Sequence, residues 1–246
     1  MTWKLFIAHW KLGAFQIVRA PGYIISLFGF PAVFFLFFGI PEAEDTNTAN
    51  RLMVSYTLYA VLGAVLNQVV GSIAEDRRET WYPYLNTLPR FQHARIASRV
   101  GVALASAAAA ALFMIGVASL LTPVSLELHE WFFLSMAILL GFGPFLAMGL
   151  AIGYTLSPRS APIVTSLIFF SLAYSGSLWT SPDSLPGWLR DVSWLIPTRM
   201  WAEVAWAATF DYSWASVYWG GLLVYGFVFG VIAILGITKP VRVRNF

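Results

Sequence analysis

A chain of 246 residues that is 59% hydrophobic and only 11% charged, with a mean hydropathy of +0.71, carries about half the charge of a soluble domain its size. That excludes an ordinary water-soluble fold and reads as an integral membrane protein with no room for a separate soluble domain. Cysteine is absent, which excludes disulfides, thiolate metal sites and cysteine nucleophiles, and a net charge of +3 is no nucleic-acid signature.

Residues 1–20 precede any spanning run. Trp3, Phe6, Ile7, Trp10, Ala14 and Ile17 recur at helical spacing, while Lys4, Lys11, Gln16 and Arg19 lie elsewhere on the wheel. The pattern predicts an amphipathic helix in the headgroup plane, the alternative being a simple extension of the first span. Pro21 then opens span one over 22–40, rich in Phe and closed by Gly39-Ile40-Pro41. An acidic loop with Glu42, Glu44 and Asp45 leads to span two, 52–74.

The densest charge cluster follows. Glu75, Asp76, Arg77, Arg78, Glu79 and Thr80 run into Trp81, Tyr82 and Tyr84, and Pro89 closes the loop. Ionised side chains at the bilayer centre cost roughly 2.5 kcal/mol or more each, so this stretch lies on a solvent side. It is either a docking point for another protein or an interfacial loop that holds two helices at the lipid surface.

Arg90, Arg95 and Arg99 lead into span three, 100–122, whose Ala107 to Ala111 run permits close helix packing. A loop with Glu127, His129 and Glu130 precedes span four, 131–155, where Gly141, Gly143, Pro144 and Gly149 predict a kink. Ser157-Pro158-Arg159 turns the chain into span five, 160–179. The segment 180–213 is interrupted by Pro182, Pro186 and Pro197 and carries Trp188, Trp194, Trp201 and Trp206, with Trp179 at its border. Span six, 214–238, runs into the basic tail Lys239, Arg242 and Arg244. Each span is about 20 residues, enough at about 1.5 Å per residue to cross a core of about 30 Å.

Charge sorts by side. The N-terminus, the 75–99 loop, the 156–162 turn and the tail hold 12 Lys/Arg, and the other three loops hold 3. The basic set belongs in the cytoplasm, which predicts both termini inside. The expected fold is therefore an all-α integral membrane protein with six transmembrane helices, forming a single domain over 1–246.

Absent residues narrow the function. The lysines are Lys4, Lys11 and Lys239, and none follows a P-loop glycine pattern, so this chain lacks the means to hydrolyse ATP by that route. The spans as drawn hold no Asp, Glu, Lys, Arg or His, which removes the base for serine proteolysis and the relay of a proton-coupled carrier. Such a chain either conducts passively or is driven by a partner. The polar residues at depth are uncharged. Tyr56, Tyr59, Asn67 and Gln68 of span two, with Ser171 and Tyr174 of span five, are candidates to line a path for an amphipathic substrate. Gly63, Asn67 and Gly71 fall four apart on one face of span two. The alternative is plain interhelical hydrogen bonding, at about 0.6 kcal/mol per pair.

Several motifs, in order, carry a family resemblance. They are Arg19-Ala20-Pro21, Phe30-Pro31, the run Ile73 to Thr80, Leu85-Asn86-Thr87-Leu88-Pro89, Ser175-Gly176, Leu185-Pro186-Gly187-Trp188-Leu189 and Leu195-Ile196-Pro197-Thr198. With six spans around them, the chain resembles the membrane subunit of ABC-2-type (type V) exporters over nearly its whole length. The resemblance implies that the 75–89 loop is a coupling helix docking on a separate cytoplasmic ABC ATPase dimer, which holds the ATP and Mg, while this chain binds no cofactor. It implies a second membrane subunit, identical or paralogous, and a second ATPase contact through the N-terminal helix. It also implies re-entrant helices in 180–213 and a bacterial inner membrane. Glu75 to Tyr82 would be the ATPase-coupling residues. Two other readings remain open: a passive channel or scramblase-like protein, and a structural or assembly subunit with no transport path.

Overall fold

The computed structural model describes residues 21–80, 82–85, 91–210 and 216–238, with positions 7, 10–13, 15 and 19 before them. The predicted interfacial helix and the basic tail fall largely or wholly outside the described residues. Among those described, every regular element is helical.

A helical run over Gly22–Glu42 (α1) includes π-helical turns at Ile25–Gly29 and Phe35–Gly39. The first of these turns comes just before Pro31, which lacks the N–H for an ordinary helical bond. Thr46–Asp76 (α2) starts at Asp45, whose carboxylate accepts from the Thr48 backbone N–H at 2.9 Å. A short helix at Tyr82–Leu85 (α3) precedes Phe91–Leu121 (α4) and Leu128–Thr155 (α5). The Glu130 carboxylate accepts from the Glu127 backbone N–H at 2.6 Å where α5 begins. Then come Ala161–Ser175 (α6), Gly187–Ser193 (α7), Pro197–Ala207 (α8) and Ser216–Thr238 (α9).

Five of these, α1, α2, α4, α5 and α9, are long and apolar enough to cross a membrane. The sequence predicted six. The difference is α6, whose 15 residues span about 22 Å where the core needs about 30 Å. It ends early for a local reason. Ser177 takes the left-handed conformation (φ 57°), and the Leu178 and Ser177 N–H groups bond back to the Ala173 and Tyr174 carbonyls. Glycine usually fills that position, and Ser177 holds it against the backbone cost.

The bundle is arranged around α2, which packs on α4, α5 and α6. In its most apolar window α2 is 72% buried, against 17% for α9, although α2 is the least apolar of the five. In lipid this is the expected order, because the helix carrying Asn50, Ser55, Tyr56, Tyr59 and Asn67 gains most from protein neighbours. Ala103, Ala107, Ala110 and Ala111 of α4 are buried. The helix α5 continues through Pro144. Its Gly153 lies on Ile73 of α2, and a Cβ there would sit 2.7 Å from the Ile73 Cδ1. Close approach is the use of Gly153.

Candidate functional site

At one end of the bundle the last turn of α2 meets the start of α4 and the end of α5. A helix leaves its final carbonyls without partners in its own ladder, and arginine is a residue suited to such ends. Arg77 donates through Nη1 to the carbonyls of Gly153 (2.7 Å) and Leu156 (2.6 Å), and so caps α5 from α2. Arg78 donates to the Pro158 carbonyl at 2.8 Å. The favourable interaction of a cation with a helix C-terminus adds to these bonds.

Asp76 reaches the other neighbour. Its Oδ2 accepts from both Arg95 and Arg99, one turn apart on α4. Arg99 also donates to the Tyr154 hydroxyl at 2.6 Å, and Arg95 lies over the Tyr82 ring at 5.5 Å. One carboxylate therefore joins α2 to α4, and one guanidinium joins α4 to α5. The three helices share one polar joint, from which residues 77–80 lead on. Beyond it Glu75, Glu79 and Thr80 are exposed, Tyr82 is half-buried and Tyr84 is 66% exposed. Trp81 and 86–90 lie outside the described residues.

A second feature opens on the flank of α2. A cleft of about 230 Å³ runs between α1, α2 and α6, lined by Phe30, Pro31, Tyr59, Asn67, Ser166 and Phe169 among others. Tyr59 is fully buried and stacks on Phe169 (5.0 Å), and its hydroxyl has no hydrogen-bond partner among the described residues. Asn67 is half-buried on the cleft wall. An apolar, aromatic cleft with a few uncharged polar groups suits an amphipathic ligand better than an ion.

The opposite end is closed by the 177–210 segment. Trp201 is fully buried and donates to the Ala137 carbonyl at 2.9 Å. Gly141 makes room for that indole, since a Cβ there would lie 2.0 Å from Nε1. Trp206 donates to Ser55 Oγ at 3.0 Å. The Tyr56 hydroxyl donates to the Trp179 carbonyl at 3.4 Å. Two of the five tryptophans of this segment and its border are thus core residues that fasten this cap to α5 and α2.

Comparison with known proteins now decides the family. Residues 4–210 match the model of the ABC-2 type transporter domain. The chain belongs to the ABC-2 type transporter family. A relative in Bacillus subtilis (strain 168), named "Putative transport permease YvfS", is 20% identical over 199 residues, covering 78% of this chain and 80% of that protein.

Seen as an ABC-2 membrane domain, the chain distributes its predicted site residues unevenly. Tyr59 and Asn67 share the cleft, while Tyr56 is buried beside Phe35 (5.2 Å). Gln68 is half-buried, Ser171 is exposed with its carbonyl accepting from Ser175, and Tyr174 is 39% exposed near Trp179. None of these three lines the cleft. The Gly63–Asn67–Gly71 stripe also divides: Gly63 lies against Phe169, and Gly71 has open space beside it. In the 75–82 loop, Asp76 and Arg77 contact neighbouring helices of the same chain, and Arg78 contacts the turn between α5 and α6. Sequence reading missed Arg95 and Arg99 as the partners of Asp76, and Tyr154 as the partner of Arg99. The spacing of Arg95 and Arg99, four apart at the start of a span, was the signal available.

Proposed function

We propose that this chain is the transmembrane subunit of an ATP-driven ABC exporter. It forms the substrate path as a dimer with a second membrane subunit, identical or paralogous, in a bacterial inner membrane with both termini inside. Separate cytoplasmic subunits bind and hydrolyse ATP with Mg and act on it through the 75–89 loop. The observation that carries this reading is the joint below α2. A loop destined only to sit at the lipid surface has no need to be bonded to three spans. A loop that receives a push does, because force passes only through contacts that resist it.

In this mechanism Asp76, Arg77 and Arg78 hold the loop to α2, α4 and α5. Glu75, Glu79, Thr80, Trp81 and Tyr82 meet the ATPase, with aromatic anchors of the type enriched at interfaces. The cleft beside Tyr59 and Asn67 is the single-chain half of the path, and α6 with residues 176–179 makes the fifth crossing. The 180–213 segment forms the outer, re-entrant closure.

The test is purification of the tagged chain from its native membrane, followed by assays of ATP hydrolysis and transport. Recovery of an ATPase whose transport-stimulated turnover falls in Glu79→Ala and Trp81→Ala, at unchanged membrane level, is the expected result. Flux through liposomes containing this chain alone, without nucleotide, would overturn the proposal.

A further inference from the structure

The cap at the far end of the bundle contains a polar cavity of about 430 Å³, distinct from both the joint and the cleft. It is lined by Arg51, Asp183, Arg190, Asp191, Trp194 and Arg199 among others, so three guanidiniums converge on it. Arg199 is only 4% exposed. It pairs with Glu203 and donates to Ser177 Oγ at 3.2 Å, yet its Nε has no partner among the described residues. Arg51 lies over the Trp206 ring at 4.5 Å, and Arg199 approaches the same ring at 5.2 Å. Two like charges thus share one indole.

Among the described residues, Arg51 and Arg190 have no carboxylate at ion-pair distance, although Asp183 and Asp191 line the same cavity. Burial pushes the Arg199 guanidinium down from its ordinary value; Glu203 opposes that, and the Arg51 charge adds to it. An unpartnered donor on a buried cation is costly and calls for an acceptor.

The surroundings indicate what supplies it. The helix that contributes Arg190 and Asp191 also presents Trp188 at 72% exposure, and Leu195 just beyond it is 66% exposed. An apolar surface beside a cavity lined by three arginines and two aspartates, at the end of a membrane bundle, matches acyl chains beside a charged headgroup.

We infer that this cavity binds the phosphate of an anionic phospholipid, with Arg51, Arg190 and Arg199 around the headgroup and the lipid tails along Trp188 and Leu195. The site stands apart from ATP coupling, and its test needs no nucleotide.

The experiment titrates the purified full-length chain in detergent with phosphatidylglycerol, with phosphatidylcholine and with inorganic phosphate, and counts bound lipid by native mass spectrometry. Phosphatidylglycerol is expected to bind in preference to phosphatidylcholine. Arg51→Gln and Arg190→Gln are each expected to weaken it about tenfold, the scale of one charge-assisted hydrogen bond. Arg190 is exposed and its side chain has no described partner, so that variant keeps the test intact even if Arg51→Gln disturbs folding. Equal binding of the two lipids, or undiminished phosphatidylglycerol binding in Arg190→Gln, would overturn the inference. Competition by inorganic phosphate at the lipid's own concentration would make it a free-anion site, and would overturn the lipid assignment.

Discussion

The two ends of the bundle both depend on arginine and use it in opposite ways. At the joint, Arg77 and Arg78 donate to backbone carbonyls, and Arg95 and Arg99 converge on one carboxylate. At the cap, Arg51 and Arg199 lie on indole faces, and the packing of Trp201 and Trp206 does the fastening. Hydrogen bonds to helix ends near water can be exchanged for bonds to solvent at modest net cost. Interlocked indoles cannot shift without opening a void or a clash. The cap is therefore held by packing that yields only as a whole, and the joint by directed bonds that can be remade one at a time.

The largest expected effect tests the cap. Gly141→Ala places a methyl group 2.0 Å from Trp201 Nε1 and 2.2 Å from Cδ1, so the indole must leave its bed and lose its bond to Ala137. The cost is about 3 kcal/mol, at the upper end for overpacking a tight site. A thermal midpoint of the detergent-solubilised protein well below wild type checks it. An unchanged midpoint would mean that the cap yields, and the contrast between the ends would vanish.

At the joint the effects are smaller in stability and larger in coupling. Arg77→Ala removes the donor to two carbonyls at the end of α5 and should cost about 2 kcal/mol. Asp76→Asn keeps the shape and removes the charge between Arg95 and Arg99. With its side chain 30% exposed, Asp76 is screened by water, and the loss should be about 1 kcal/mol. In both variants transport should fall relative to ATP hydrolysis by the partner, measured in the same reconstituted complex. Proportional loss of the two activities would point to misfolding.

Much of this was legible in the sequence. Composition specifies an all-helical membrane protein, and the placement of charge marks the ends of most spans. The motif order around 73–89 and 185–198 points to the family that the domain match bears out. What was not legible depends on tertiary contact. The early stop of α6 is fixed by Ser177 in a left-handed conformation and by Thr198, whose Oγ1 donates to Leu172 at 2.6 Å from a segment 26 residues away. Trp201 and Trp206 carry the same composition signal as an interface tryptophan, and only their neighbours distinguish core from belt. Asp76 looked available to a partner because its two arginines lie on the next helix.

The smallest effect on stability belongs to Asn67→Leu, and it sharpens the comparison most. From sequence, Asn67 was either a wall of the path or a hydrogen bond between helices. In the structure it is half-buried on the wall of the cleft that Tyr59 and Ser166 also line, and no hydrogen bond from its side chain to a described residue is present. The second use has therefore lost its support within one chain. Replacing the amide with an apolar group of similar size leaves no buried partner stranded, so the thermal midpoint should move by less than the equivalent of about 1 kcal/mol. Transport of an amphipathic substrate should change nonetheless, because the cleft loses one of its few polar groups while both ends of the bundle stay as they were. If transport is unaltered and the association of the two membrane subunits weakens instead, Asn67 is a contact between copies, and the path runs elsewhere than along α2.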